Sequence, residues 1–122
     1  MAEHPVVHFE IMGRDAGLLS GFYADLFGWK VAEVHPGAGY HVVDDGGIGG
    51  GIGGFPDVEQ YVTVYVQADD LPGTIARAEA LGATSVMAPR EASPGLTVAL
   101  LRDPEGHLVG LMDRAQAPSG NP

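Results

Sequence analysis

The sequence predicts an α+β fold in which two tandem βαβββ modules form a curved mixed sheet around a cleft, with helices on the outer face. Three observations predict it. Two segments with strand-like alternation each precede a helical pattern. The intervals Asp15–Gly28 and Asp69–Gly82 have the same length, so each half pairs a helix start with a helix end. The turn glycines Gly46 and Gly106 supply a second correspondence between the halves.

The first half begins with a strand at residues 6–12, in which side chains of two kinds alternate. One face carries Val7, Phe9 and Ile11, and the other carries His8, Glu10 and Met12. A helix over residues 16–27 follows, with Asp15 as its N-cap and Gly28 as its left-handed terminus. Further strands are expected at residues 29–34, 40–43 and 48–52, the last of them rich in glycine.

The second half repeats this order. A strand at residues 61–67 precedes a helix at 71–81, which Asp69-Asp70 caps and Gly82 ends. Strands at 84–87, 96–102 and 107–112 follow, the last two joined by a tight Asp-Pro-Glu-Gly turn. We therefore predict one domain over residues 1–114, with modules at about 5–55 and 60–114. The tail at 115–122 is polar and is expected to be disordered.

Composition excludes several classes of function. The chain has 122 residues, a formal net charge of −10 and only six Lys and Arg, which argues against binding to nucleic acid or to anionic membranes. It has no cysteine, so disulfides and thiolate ligands are excluded. Neither a signal peptide nor a membrane span is recognisable. We expect a cytoplasmic protein without nucleic-acid or membrane partners.

Three segments together cover nearly the whole chain and carry a family resemblance. They are VVHFEIMGRD before GFYADLFGWKV, VTVYVQADDL before ARAEALGATSV, and LRDPEGHLVGLM. With these segments the chain resembles the vicinal oxygen chelate superfamily of glyoxalases, bleomycin resistance proteins and dioxygenases. The resemblance implies one divalent metal, typically held by two His and two Glu on the first and fourth strands of each half. Such a metal polarises a bound oxygen and stabilises an enediolate or oxyanion.

When the four ligand positions are matched to this sequence one by one, only one of them holds a typical metal ligand. His8 stands at the first position. The matching position of the second half is Thr63, or Val62 if the register slips by one. The last strand offers Gly110, and by the internal repeat the fourth position is Gly50. A lone imidazole does not hold a catalytic divalent ion, so we expect no metal and no other cofactor.

His8 and Glu10 are the candidate catalytic residues, because they lie two apart on one strand and so share a face. They suit a general base or a ligand-orienting pair, and a hydrogen-bonded pair that only lines the pocket is the ordinary alternative. The glycine run at 46–54 is not a phosphate loop, because no Gly-Lys-Ser/Thr follows it. The facing of the strand at 96–102 is left open. The other candidate wall residues are Met12, Trp29, Tyr40, Ile48, Gly50, Ile52, Thr63, Tyr65, Gln67, Leu100, Arg102, Gly110 and Met112.

Three functions remain in competition. The first is a metal-independent, bleomycin-resistance-like protein that binds a small hydrophobic or aromatic molecule in the cleft and forms a homodimer. The second is a glyoxalase-like lyase, isomerase or epimerase that uses His8 and Glu10, with a weakly held divalent metal as an option. The third is a partner-binding module without a small ligand. Metal content and the filling of the cleft discriminate among them.

Overall fold

The computed structural model describes residues 3–114 and confirms the α+β fold with two βαβββ modules. Its elements, in chain order, are β1 (Val6–Gly13), α1 (Ala16–Phe27), β2 (Lys30–Glu33), β3 (Tyr40–Asp44), β4 (Gly50–Gly54), β5 (Tyr61–Gln67), α2 (Leu71–Ala80), β6 (Thr84–Ser93), β7 (Leu96–Arg102) and β8 (Leu108–Arg114). These residues form two compact units, Val6–Val64 and residues 3–5 with 65–114. The predicted single domain and its module limits stay a prediction, and the predicted tail lies outside the described residues.

The first unit has a mixed sheet with strand order β2-β3-β4-β1. β1 runs parallel to β4, while β3 is antiparallel to both β2 and β4. α1 begins as predicted, because an Asp15 carboxylate oxygen accepts the Leu18 N–H at 3.0 Å. It ends at Gly28, whose φ of 73° is left-handed and whose N–H donates to the Ala24 carbonyl. The N-cap and the C-terminal glycine are both confirmed.

The second unit has strand order β5-β8-β7-β6 and a conventional core. Leu71 and Ile75 of α2 pack on Ala99, Leu101 and Leu111 of the sheet. Of the two predicted capping acids Asp70 is the cap, since its carboxylate accepts an N–H from the first turn of α2 at 3.0 Å. Within residues 3–114, neither helix has the length and hydropathy that a membrane crossing requires.

Three strands differ from the sequence prediction by two residues or more at one end at least. β4 begins at Gly50 because Asp45 accepts the N–H groups of Gly47 and Gly49, which holds the preceding segment as a turn. β6 reaches Ser93, although Pro89 lacks an N–H, because β6 is the outer strand of its unit and is irregularly paired around that point. β8 runs from 108 to 114, so it begins and ends later than expected.

The turn between β7 and β8 is organised by Asp103. One carboxylate oxygen accepts the N–H groups of Glu105 and His107, both at 2.9 Å. The His107 ring Nδ1 lies 3.1 Å from the other oxygen. The His107 N–H lowers the pKa of Asp103 below its ordinary value; desolvation opposes this, and the Glu105 N–H and the His107 ring add to the lowering. His107 therefore belongs to the turn rather than to the strand that the sequence predicted to begin there.

Asp103→Asn is expected to destabilise the protein at pH 7 and to have a much smaller effect in acid. The folded-state pKa of Asp103 is depressed, so its stabilisation is present above the unfolded value of 3.8 and is lost as pH falls below it. Urea unfolding of both proteins at neutral pH and below pH 3.8 measures this difference. Asp57→Asn, at an exposed acid between β4 and β5, is the control. A stability difference that persists unchanged in acid would contradict the assignment.

Candidate active site

The two faces of β1 carry different chemistry. Phe9 points toward α1 and packs against Trp29, with ring centroids 5.4 Å apart. His8, Glu10 and Met12 alternate with it and therefore lie on the face opposite α1. We call this side of the first unit's sheet the polar face. It is the face on which the sequence predicted His8 and Glu10 to lie together.

Tyr40 reaches the polar face by lying across β4. It is paired with Gly53 on β4, and Gly51 is in turn paired with Glu10 on β1. Neither glycine has a side chain, and a Cβ built on Gly51 would overlap the Tyr40 hydroxyl and ring. A Cβ on Gly53 would press on Tyr40 and the Met12 sulfur. The glycine strand thus lets an aromatic side chain from β3 reach residues two strands away.

Four side chains form one hydrogen-bonded network on this face. The Tyr40 hydroxyl donates to Glu10 Oε2 at 2.9 Å, and the Tyr61 hydroxyl donates to Glu10 Oε1 at 2.7 Å. The Tyr40 oxygen lies 3.1 Å from His8 Nε2. When the Tyr40 hydroxyl donates to Glu10, its oxygen can accept from His8 in the tautomer that carries a proton on Nε2. Glu10 is only 8 % exposed.

This arrangement fixes a carboxylate in one orientation inside a nearly water-free site. Each Glu10 oxygen accepts a tyrosine hydroxyl, which offsets much of the cost of burying the charge. Tyr40 links that carboxylate to an imidazole, the side chain that most readily takes and gives protons near neutral pH. The network therefore supplies a rigid polar anchor and, through Tyr40, a connected path for a proton between His8 and Glu10.

The second unit keeps a comparable face opposite α2. Because Ala99, Leu101 and Leu111 pack toward α2, the alternate side chains of the same strands lie on the other face. This settles the facing of β7. A Cβ on Gly110 would press on the Tyr65 ring, so these two positions share the face. The candidates that lie there are Tyr65, Gln67, Leu100, Arg102, Gly110 and Met112.

Two of these second-unit candidates make contacts within the fold. The Arg102 guanidinium donates to the Gly106 carbonyl at 3.0 Å, which ties it to the β7–β8 turn. Tyr65 is buried over Gly110. Neither contact assigns a ligand, so the wall role of this set stays a prediction. On β5 the sequence left two registers open, and Thr63, buried and two residues from Tyr65, is on this face rather than Val62.

Four predicted wall residues lie elsewhere. Gly50 and Ile52 face α1, since a Cβ on Gly50 would press on Phe9, and Ile52 is two residues along the same strand. Ile48 precedes β4 in an exposed loop. Trp29 belongs to an aromatic cluster on the α1 side, stacked on Tyr23 with centroids 5.5 Å apart. These four residues therefore lie off the polar face, and their assignment as walls of the cleft stays a prediction.

The error on β4 is a shift of one residue in the internal repeat. Glu10 is paired with Gly51, and Tyr65 is paired with Gly110. Gly51 rather than Gly50 is therefore the position of the first half that is equivalent to Gly110. The turn glycines used for the alignment do not reveal the shift, because the loop before β4 is longer. Tyr61 is not among the residues that the sequence analysis selected, and only the fold shows that its hydroxyl reaches Glu10.

A separate depression of about 440 Å³ opens at the start of α1, lined in part by Arg14, Glu33, His41 and Phe55. His41 is next to Tyr40 on β3, so its side chain lies on the α1 side of the sheet. The depression is therefore on the opposite face from the network. The polar contacts described above, rather than this concavity, identify the candidate site.

A family model for a glyoxalase-like domain matches residues 8–112. The chain belongs to the glyoxalase-like domain family. This match confirms the glyoxalase-like resemblance found in the sequence. The match begins at His8 and ends at Met112, so it includes both faces described above.

Three solved structures illustrate the likeness. A superfamily member from Vibrio splendidus 12B01 has a TM-score of 0.68 at 16% identity, covering 91% of this chain and 99% of that one. Methylmalonyl-CoA epimerase from Mycobacterium tuberculosis has a TM-score of 0.66 at 15% identity, covering 94% of this chain and 91% of that one. A Mn(II)-bound glyoxalase from Novosphingobium aromaticivorans has a TM-score of 0.65 at 20% identity, covering 88% of this chain and 38% of that one. At these identities the likeness shows the fold alone. No curated protein sequence matches the chain.

The donor set of this glyoxalase-like domain does not fit the superfamily's divalent metal. Of the four ligand positions that the resemblance implies, His8 has a strong donor, Thr63 has a neutral hydroxyl, and Gly51 and Gly110 have no side chain. Both Glu10 oxygens already accept tyrosine hydroxyls. Within residues 3–114, no three His, Asp or Glu side chains cluster closely enough to hold a metal. A stable site needs about three or four protein ligands.

Proposed function

We propose that this glyoxalase-like domain binds a small, largely apolar organic molecule on the polar face, with His8, Glu10 and Tyr40 as the polar anchor and without a resident metal ion. The observation that carries the proposal is the buried Glu10 carboxylate, held by two tyrosine hydroxyls and linked through Tyr40 to His8. Small-molecule sites combine an apolar surface with a few fixed polar groups.

The surroundings of the anchor suit a flat apolar ligand. Met12 offers a flexible thioether beside Tyr40, and thioethers adapt to ligands of different shape. Tyr40 itself lies flat over the glycines of β4 and presents a ring edge and a hydroxyl. An aromatic ligand stacked near Tyr40 would gain ring contacts and one directed hydrogen bond.

Charge narrows the ligand class further. Residues 6–64 contain eight Asp and Glu against two Lys and Arg, a net charge of −6. A ligand that meets this unit and the buried Glu10 carboxylate is favoured if it is neutral or cationic, and disfavoured if it is anionic. We therefore propose a neutral or basic aromatic molecule rather than an acyl-coenzyme A ester of the kind that the similar epimerase is named for.

An enzyme of the lyase, isomerase or epimerase class is the second candidate. One observation favours it: the Tyr40 hydroxyl lies within hydrogen-bond distance of both His8 and Glu10. A proton taken from a bound carbon acid by His8 would have a path toward Glu10. Turnover of a bound compound that is lost in His8→Ala, while binding is kept, would favour this candidate over binding alone.

Thermal-shift titration with a panel of neutral, basic and acidic aromatic natural products and antibiotics tests the proposal. Neutral or basic members are expected to raise Tm by mass action. Tyr40→Phe removes only a hydroxyl that orients Glu10, so affinity should fall about tenfold. Tyr23→Phe, which removes a hydroxyl on the α1 side, is the matched control and should bind normally. Hits that bind Tyr40→Phe and His8→Ala as tightly as the wild type would place the site elsewhere.

Metal analysis of the purified protein, followed by Mn²⁺ titration, tests metal independence separately. A stoichiometric ion that is lost in His8→Ala would overturn that part of the proposal. The homodimer and the cytoplasmic location remain predictions from the sequence.

A further inference from the structure

We infer that the outer face of α1 is a contact surface for a second copy of this chain. The inference does not depend on the proposed ligand. It starts from the side chains that α1 exposes: Leu18 is 73 % exposed, Phe22 is 55 % exposed and Leu26 is 58 % exposed. These residues follow one another at intervals of four, so they form a continuous row, which we call the α1 ridge.

α1 carries large apolar side chains on both of its sides. Its sheet side buries Ala16 and Ser20 and holds Leu19 and Tyr23 half-buried, while the ridge points away from the sheet. α2 serves as an internal comparison, because it buries Leu71 and Ile75 and follows the ordinary amphipathic pattern. The apolar ridge of α1 is therefore surplus to the packing of α1 on its own sheet.

Beside the ridge runs a row of small residues, Gly17 and Gly21, which we call the α1 groove. A Cβ on Gly21 would meet no atom within 4 Å, and a Cβ on Gly17 would meet only an Asp15 carboxylate oxygen at an ordinary 3.5 Å. Glycine costs stability in a helix interior relative to alanine, and no atom of residues 3–114 lies close enough to require it here. A ridge beside an open groove is the surface that another helix needs for close packing.

The exposed apolar area of the ridge approaches what a dimer interface requires. A stable interface buries about 800 Å² on each partner, of which about 60% is apolar, or about 500 Å². The ridge together with Phe27, itself 58 % exposed, presents roughly 400 Å² of apolar surface. The only charged residue in α1 is Asp25, so the face is nearly free of charge in a chain of net charge −10.

A symmetric dimer accounts for both the exposed ridge and the open groove. With α1 helices crossing about a two-fold axis, the ridge of each copy fills the groove of the other, so each surface supplies what its partner lacks. The polar face lies on the other side of the first unit's sheet, so this contact does not cover His8 or Glu10. The sequence alone predicted a homodimer without placing its contact surface; this inference places the contact on the helix.

Sedimentation equilibrium and light scattering of the full chain at roughly 1–100 µM test the inference. The wild type is expected to dimerise in this range, and Phe22→Lys is expected to raise the dissociation constant at least about tenfold. Leu81→Lys is the matched control, since Leu81 is 68 % exposed at the end of α2 and the charge change is the same. Both variants lower the net negative charge, so relief of repulsion cannot explain weaker association in one of them.

Gly21→Ala gives a second test of dimerisation, and it does not introduce a charge into the contact surface. Alanine should stabilise α1 and raise the Tm of the dilute monomer by about 2–5 °C, while its methyl group fills the groove and weakens dimerisation. A rise in Tm combined with weaker association is not expected from a purely intramolecular role. A wild type that stays monomeric at ~100 µM, or a dimer that Phe22→Lys and Gly21→Ala both leave intact, overturns the inference.

Discussion

Gly51→Ala is expected to dismantle the polar anchor and to lower the free energy of unfolding by about 1–3 kcal/mol. The added Cβ overlaps the Tyr40 hydroxyl and ring, so Tyr40 must swing away from Glu10 and His8. Glu10 then keeps only the Tyr61 hydrogen bond of the two described here. Urea unfolding gives the stability change, and titration with a panel ligand that binds the wild type gives the loss of binding, expected to exceed tenfold.

A double-mutant cycle provides the control for Gly51→Ala. In a Tyr40→Ala background the space above β4 is empty, so the same glycine substitution should cost little. The interaction between the two sites should therefore be large and of opposite sign to the single effects. If Gly51→Ala is equally destructive with and without the Tyr40 ring, the placement of Tyr40 across β4 is wrong.

Gly54→Ala is expected to destabilise the protein by about 3 kcal/mol. Its Cβ would lie 2.8 Å from the Gly13 carbonyl oxygen and 2.9 Å from the backbone nitrogens of Asp15 and Ala16. No rotamer change can relieve contacts with backbone atoms. The surrounding chain has little room to yield, because the Phe55 N–H donates to Gly13 and the Gly54 N–H donates to Gly39, both at 3.1 Å.

Thermal and urea unfolding measure the effect of Gly54→Ala, with Gly47→Ala as its control. A Cβ on Gly47 would meet only the Asp45 carboxylate, at distances of 3.5 Å and more, so alanine is expected to be neutral or slightly stabilising there. Equal stabilities of the two variants would mean that the end of β4 is not packed against the start of α1 as described.

The sequence predicts the order of elements well because the relevant signals are local. Asp15 with Gly28 frames one helix, and Asp70 with a left-handed Gly82 frames the other. Alternation along β1 and β5 correctly assigns His8 and Glu10 to one face. These features depend on neighbours a few residues apart, which a single chain displays directly.

The composition of the anchor depends on contacts that local patterns do not contain. Tyr61 and Tyr40 lie 51 and 30 positions from Glu10 along the chain, and their hydroxyls meet it only through sheet pairing. The register of β4 is equally hidden, because a strand composed mostly of glycine has no alternation that marks its faces. The exposure of the α1 ridge is also hidden in the sequence. Helical periodicity shows that α1 has apolar positions, but it does not show which of them pack on the sheet.

The crowding of Tyr40 over Gly51 limits how this protein can change. A metal site of the kind that the sequence resemblance implies would require a carboxylate on β4 facing Glu10, and the position opposite Glu10 is Gly51. Any side chain there collides with Tyr40 before it can reach an ion. Gain of a ligand on this strand must therefore coincide with loss of the tyrosine, and each step alone sacrifices the existing anchor. Single substitutions that preserve the anchor therefore leave both Gly51 and Tyr40 unchanged.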